Sequence, residues 1–170
     1  NINTPTFWET SAFLTNDGQK LYFTSNRPGG LGNLDIYVSE MERTGDWGKA
    51  ENLGPVINTP GREDSPAIDP DGSTLYFSSD GHLGMGGMDI FKSELKDGKW
   101  QKPVNMGYPV NSVEDDSFFA MTKDKQKAPI AHRIGLSTPS TRITTSSPAA
   151  VRALTRIRET EEGMAGRATG

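Results

Sequence analysis

The sequence predicts an all-β repeat protein, chiefly because a long stretch of it occurs twice. NDGQKLYFTSN at residues 16–26 returns as PDGSTLYFSSD at 70–80, and GGLGNLDIYVSE at 29–40 returns as LGMGGMDIFKSE at 83–94. Both pairs are offset by 54 residues. A period of this size is typical of architectures in which each repeat buries its apolar face against its neighbours.

The segments within one repeat have the composition of short strands between turns. Residues 73–79 are rich in aromatic and small residues and lie between two Asp-Gly pairs, and residues 20–25 match them. Three further segments of the second repeat, 65–69, 89–93 and 100–104, are separated by turn-forming residues. Four strands in about fifty residues describe one blade of a β-propeller, a small antiparallel sheet that must stack on neighbours. A solenoid or a flat sandwich is the alternative.

The repeat also extends into the segment that joins one blade to the next. NLGPVINT at 52–59 matches NMGYPVNS at 105–112, and the opening INTP at 2–5 matches 57–60. We therefore expect the numbered chain to begin inside an earlier repeat, as a piece of a longer precursor. About two blades and part of a third are present, whereas ring closure typically takes about 4–8, so open blade edges capable of self-association are predicted.

These residues resemble a known family. SPAIDPDGSTLYFSSDGHLGMGGMDIF at 65–91, followed by WQKPVNMGYPVNS at 100–112, resembles the WD-repeat-like propeller blades of TolB-type proteins. More narrowly, it is similar to the version in outer-membrane lipoproteins and OmpA-family proteins of the Bacteroidetes type. The resemblance covers about residues 1–127 and implies a periplasmic, outer-membrane-associated propeller for protein contacts, sometimes in secretion or gliding machinery. No OmpA-like domain is recognisable in these residues, so peptidoglycan binding is not carried over.

Composition narrows the classes of partner. With 33% hydrophobic residues and a mean hydropathy of −0.60, the 170 residues can form a core only if the repeats share one. No run approaches the length of a membrane helix, so direct membrane insertion of this segment is not expected. The absence of cysteine excludes disulfides and thiolate metal sites. A formal charge of −4 without a basic stripe in the repeats argues against nucleic acid.

Four loop residues are candidate binding residues: Arg27, Asp35, His82 and Asp89. The glycine-rich loops at 28–32 and 84–87 could cradle an anion, but that arrangement needs a following helix, and strands are predicted there. We expect Asp35 and Asp89 mainly to accept backbone N–H bonds that shape these loops. Arg27 follows a strand end, where blade loops face the rim or the channel.

Neither a metal nor a cofactor is predicted. The Asp-Gly turns at 17–18 and 71–72 could belong to calcium loops, but a tight hairpin turn explains them without an ion. No bidentate Glu follows at the required spacing. His82 and His132 are too far apart and too isolated to suggest a metal pair.

No catalytic constellation is evident, and the aromatics are expected in the core between blades. There is no Cys and no Gly-x-Ser-x-Gly motif. The acidic pairs at 63–64 and 115–116 could serve a propeller hydrolase or lyase, but their equivalent repeat positions favour architecture. We predict a non-enzymatic module that binds a protein partner in the cell envelope, with a hydrolase, lyase or glycan-binding propeller as alternatives. The aromatics in question are Tyr22, Phe23, Tyr76, Phe77, Phe91 and Trp100.

Residues 128–170 form a second, non-repeat region without any aromatic residue, rich in Ser, Thr and Arg. One interpretation is a frame-shifted translation of the next blade, since regrouping the codons from Ala128 permits a Tyr-Ser-Ser-Ser-Asn-Arg-Pro segment. The other is a genuine basic tail with one short helix after Ser147-Pro148. Either way we expect no blade fold there, because too little apolar surface is available to offset the cost of ordering.

Overall fold

The computed structural model describes residues 2–119 and a two-residue strand at 132–133. The predicted domain boundary near 127, the frame-shift hypothesis and the short tail helix lie outside the described residues. Within them the chain forms only strands, turns and irregular segments, which confirms the all-β class. None of these residues belongs to a helix that could cross a membrane.

The first sheet is antiparallel, with its strands side by side in chain order: β1 (Glu9–Leu14), β2 (Lys20–Ser25), β3 (Asp35–Glu40) and β4 (Glu51–Asn52). Strand β2 pairs with β3 along its whole length. Because side chains alternate across a strand, Leu21 and Phe23 lie on one face of the sheet and Tyr22 on the other. All three are buried, so the sheet is covered on both faces.

The second sheet repeats this arrangement with one strand more: β5 (Glu63–Ile68), β6 (Thr74–Ser79), β7 (Asp89–Lys96), β8 (Lys99–Trp100) and β9 (Val104–Asn105). Its neighbouring strands are antiparallel, as a propeller blade requires. The single outer strand predicted over 100–104 is instead two short strands that both pair with β7. Pro103 separates them, because proline has no N–H to donate to a ladder.

The two sheets share one core, as expected for blades that cannot bury both faces alone. Ile57, in the segment between the sheets, packs with Tyr22 of the first sheet and Phe77 and Phe91 of the second. The Trp100 ring meets the Tyr22 ring edge-on, with centroids 6.4 Å apart. Burial of each large apolar side chain contributes about 1.5–3 kcal/mol, so the contact between the sheets is a main source of stability. The predicted core role of the aromatics is confirmed.

A third sheet begins with β10 (Asp116–Ser117), paired with β11 (His132–Arg133). Phe119 stacks on Tyr76 of the second sheet, with ring centroids 4.4 Å apart. Tyr22 and Tyr76 therefore occupy equivalent strand positions, and each contacts an aromatic ring from the following sheet.

The connecting segments emerge at two opposite ends of the sheets. We call one end the turn rim: it carries the hairpin turns at 15–19 and 69–73, where Gly18 and Gly72 have the positive φ that the predicted turns require. The other end, the glycine-loop rim, is formed by loops 26–34 and 80–88, linkers 53–62 and 106–115, and the entry segment 2–8. Backbone hydrogen bonds join each loop to the chain that follows it in space: Asn33 N donates to Gly61 O of the linker at 2.8 Å, and Asp116 N of β10 donates to Met88 O at 2.7 Å.

Candidate functional site

Of the four candidate binding residues, Arg27 and His82 lie on the glycine-loop rim, and the buried carboxylates Asp35 and Asp89 begin the strands that follow its two loops. Asp35 accepts hydrogen bonds from the N–H groups of Leu31 and Gly32, at 2.5 and 3.2 Å. Asp89 accepts the equivalent bonds from Met85 and Gly86, at 2.7 and 3.0 Å. The predicted loop-shaping role is therefore confirmed. A role of either Asp in binding a ligand stays a prediction.

The glycines beside these carboxylates are required by close approach. A Cβ on Gly84 would overlap the Asp89 carboxylate, and one on Gly86 would overlap the carbonyl oxygen of Glu114 in the linker. The residue between them, Met85, is half exposed. Met85 thus points outward between two glycines that are pressed against the protein. The first loop does the same with Gly30, Leu31 and Gly32.

Glu63 fastens the linker between the sheets. Its carboxylate is fully buried and accepts hydrogen bonds from Thr59 N at 2.8 Å, Thr59 Oγ1 at 2.7 Å and Ser79 Oγ at 2.7 Å. Glu9 makes the equivalent bonds to Thr4 and Ser25 in the first sheet. These bonds give the carboxylates of Glu63 and Glu9 a structural role.

The other acids of the two acidic pairs are also engaged within the chain. Asp64 accepts a bond from the backbone N–H of Ser65 at 2.7 Å, and Asp115 accepts one from Met88 at 3.0 Å. Asp116 accepts a bond from the backbone N–H of Ser112. Among the described residues, no group of three His, Cys, Asp or Glu side chains is placed to hold a metal ion.

Sequence reasoning missed two buried asparagines that perform the same task in successive repeats. The Asn58 side chain accepts from Ile36 N at 2.8 Å and donates to Ile36 O at 3.0 Å, which fixes the linker to strand β3. Asn111 makes both bonds with Ile90 of strand β7, at 2.8 and 2.9 Å. The available signal was the recurrence of Asn six residues after Asn52 and Asn105, to which each also donates.

Arg27 and His82 occupy equivalent positions, although the 54-residue offset pairs Arg27 with Gly81. The Arg27 guanidinium lies 4.8 Å from the centre of the Phe23 ring and donates to the carbonyl of Ile2. His82 lies against Phe77, the counterpart of Phe23, and its Nε2 is 2.8 Å from the carbonyl of Ile57. Arg27 thus holds the entry segment against the first sheet, and His82 holds the linker 53–62 against the second. A role in binding a partner stays a prediction for both.

The replacement His82→Arg is therefore expected to be tolerated and to raise the free energy of unfolding by about 0.5–1 kcal/mol, through a cation–π contact like that of Arg27. His82→Ala is expected to lower it by about 1–2 kcal/mol, because the Ile57 carbonyl loses its donor. Urea unfolding of the three proteins measures both effects. If the arginine variant is less stable than the alanine variant, the two positions are not equivalent.

Large exposed apolar side chains are concentrated on the glycine-loop rim. Of nine in the described residues, only Val104 and Phe118 lie elsewhere. Leu83 is 95% exposed and Tyr108 is 84% exposed. A concentration of exposed apolar side chains at one end of a protein is typical of an interaction site. The seven on the rim are Trp8, Leu31, Val56, Leu83, Met85, Tyr108 and Val113.

Lysine is distributed in the opposite way to the exposed apolar side chains. The glycine-loop rim has no lysine, since the lysines among residues 2–119 lie on strands, at the turn rim or, for Lys102, in the segment between β8 and β9. Arg62 on the glycine-loop rim pairs with Asp80 at 2.8 Å, and this hydrogen bond raises the pKa of Arg62 above its ordinary value. Depletion of lysine together with exposed aromatic and methionine side chains is the composition of a protein–protein interface core.

A polar depression of about 690 Å³ lies beside this surface on the first sheet, lined by Arg27, Tyr37, Glu42, Lys49 and Asn52 among others. Its charged groups have both signs. The glycine-loop rim, with its exposed apolar side chains, is therefore the better candidate for a binding surface.

A scan of the sequence against protein-family models and a search of curated proteins both found no match. The family resemblance stays a prediction.

Proposed function

We propose that this chain is a non-enzymatic protein-interaction module whose partner binds to the glycine-loop rim. The observation that carries the proposal is the concentration of exposed apolar side chains there, seven of the nine in the described residues. Removing such side chains from water on binding a partner is favourable by about 25 cal/mol per Å² of apolar surface.

The loops that present these side chains are well fixed, which supports a binding role. Buried carboxylates hold Leu31 and Met85 through their backbone N–H groups, and Asn58 and Asn111 fix the linkers. Because the loops are already ordered, a partner would bind without the entropic cost of ordering them. The lack of lysine favours a protein partner over nucleic acid or an anionic membrane surface.

We further propose, from the resemblance to TolB-type and OmpA-family blades, that the module works in the periplasm, associated with the outer membrane. Its partner would then be another cell-envelope protein, such as a component of secretion or gliding machinery.

The test compares two variants on the glycine-loop rim with a control variant elsewhere, each of which removes an exposed apolar side chain. Leu83→Ser and Tyr108→Ser change the rim, whereas Val104→Ser changes an exposed residue on strand β9. A photo-reactive residue at position 85 reports partner binding in intact cells. We expect each rim variant to reduce cross-linking by about tenfold or more, as for interface hot spots, and Val104→Ser to leave it unchanged.

Two outcomes would overturn the proposal. Equal loss of cross-linking in the Val104 variant would mean that the rim is not the binding surface. Hydrolase or lyase activity of the purified chain, abolished by Asp64→Asn or Asp116→Asn without unfolding, would instead make the chain part of a propeller enzyme.

A further inference from the structure

The chain contains four Asp-Gly steps, at 17–18, 71–72, 80–81 and 97–98. They differ in how well hydrogen bonds protect them against attack of the glycine nitrogen on the aspartate side chain. At an Asp-Gly step the glycine nitrogen can attack the side-chain carboxyl carbon of the preceding aspartate, because glycine has no Cβ to obstruct the approach. A hydrogen bond to the attacking nitrogen or to the carboxylate opposes the reaction, since that bond must first break.

Three of the four glycine nitrogens are engaged in hydrogen bonds. Gly18 N donates to the Thr15 carbonyl at 2.9 Å, and Gly72 N donates to the Asp69 carbonyl at 3.0 Å. Gly81 N donates to Ser79 Oγ at 3.0 Å. The attacking atom of each of these steps is therefore held away from the carboxyl carbon.

The carboxylates of the same three steps are also engaged. Asp17 accepts bonds from Thr15 Oγ1 at 2.6 Å and Gln19 N at 3.0 Å, and the Thr15 bond lowers the pKa of Asp17. Asp71 accepts from Ser73 Oγ at 2.6 Å, and Asp80 pairs with Arg62. These bonds must break before the glycine nitrogen can form a bond to the carboxyl carbon.

The step at 97–98 lacks both kinds of protection. Asp97 and Gly98 form the two-residue turn between β7 and β8, flanked by the pair Lys96 and Lys99. Both have positive φ, 51° and 71°, as a type I′ turn requires, and both are exposed. Within the described part of the chain, neither the Asp97 carboxylate nor the Gly98 N–H has a hydrogen-bond partner.

We propose that Asp97 is a site of spontaneous succinimide formation and isomerisation to isoaspartate. The Gly98 nitrogen bonds to the carboxyl carbon of neutral Asp97, and the amide proton leaves with the carboxyl hydroxyl as one water molecule. One water then opens the ring at either carbonyl, which yields aspartate or isoaspartate with no net change in mass. No oxidant, reductant or further reactant is consumed.

Isomerisation at Asp97 would affect the core by disrupting the hairpin of β7 and β8. Isoaspartate carries the backbone through its side chain and adds a methylene, so a two-residue turn can no longer pair Lys96 with Lys99 and Leu95 with Trp100. Trp100 is the residue that meets Tyr22 of the first sheet. Isomerisation at one exposed turn therefore weakens the contact between the two sheets.

The experiment ages the intact chain at neutral pH and follows isoaspartate at all four steps by mass spectrometry of peptides cleaved after glutamate. We expect isoaspartate to form at Asp97 about tenfold faster than at the other three aspartates. At those three steps, hydrogen bonds of the glycine N–H and of the carboxylate must break before the reaction can occur. In denaturant, where the turns are lost, the four rates should converge. The Asp97→Glu variant should keep its unfolding midpoint on ageing, whereas the unsubstituted chain loses it progressively.

Two results would overturn the proposal. One is a rate at Asp97 no greater than at Asp17, Asp71 and Asp80 in the folded protein. The other is an equally large excess at Asp97 in denaturant, which would assign the difference to local sequence rather than to the fold.

Discussion

The substitution Glu63→Ala is expected to lower the free energy of unfolding by about 3 kcal/mol, the cost of removing one partner from a buried charged network. The Glu63 carboxylate is fully buried and accepts three hydrogen bonds, two from Thr59 and one from Ser79. In the alanine variant the buried Ser79 hydroxyl and the half-buried donors of Thr59 lose their acceptor. The linker between the two sheets then loses its attachment to strand β6.

Denaturant unfolding with tryptophan fluorescence measures this loss, and Glu94→Ala is the matched control. Glu94 pairs with Lys96 at 2.7 Å, but both side chains are more than half exposed. An exposed pair of this kind contributes about 0–1 kcal/mol. Glu63→Gln should lie between the two, because it keeps the volume and one acceptor. Similar losses for Glu63→Ala and Glu94→Ala would contradict the role assigned to Glu63.

The second large effect is expected from Gly86→Ala, at about 3 kcal/mol of destabilisation. The new methyl group would overlap the carbonyl oxygen of Glu114, which belongs to the linker backbone and cannot rotate away. Loop 80–88 would have to move, and Met85 with it. Binding at the glycine-loop rim should therefore weaken together with stability.

Gly72→Ala is the control in the same sheet. Gly72 has a φ of 78° but no atom within 4 Å of an added Cβ, so only the backbone conformation is disfavoured. That cost is about 1–2 kcal/mol. Thermal unfolding of the two variants separates the cost of steric overlap from the cost of the backbone conformation. A smaller loss of stability for Gly86→Ala than for Gly72→Ala would rule out the tight contact with the linker.

Much of the fold could be predicted because its signals are local. The Asp-Gly pairs at 17–18 and 71–72 favour tight turns, and the aromatic-rich segments at 20–25 and 74–79 favour strands. The role of Asp35 and Asp89 was also accessible, because each accepts bonds from residues three or four positions away. The outer strand of the second sheet was predicted less well, because two-residue strands have little sequence signal of their own.

The candidate site was less accessible to sequence. The structural equivalence of Arg27 and His82 is defined by the rings and the carbonyl that each side chain contacts. The 54-residue offset instead aligns Arg27 with Gly81, one residue before His82. Asn58 acts on a residue 22 positions away, and Glu63 on one 16 positions away. Bonds across such separations exist only once strands and linkers distant in the sequence have come together.

The sequence alone thus determined the all-β class, the repeat unit and the turns, because these follow from backbone preferences and from the spacing of apolar residues. Only the tertiary structure decided which polar groups became structural and which apolar groups stayed exposed. Leu83 and Ile57 are both apolar residues in connecting segments, yet one is 95% exposed and the other is fully buried. The stacking of two sheets closes over Ile57 and leaves Leu83 at the rim, since burial depends on where neighbouring strands pack and not on the side chain itself.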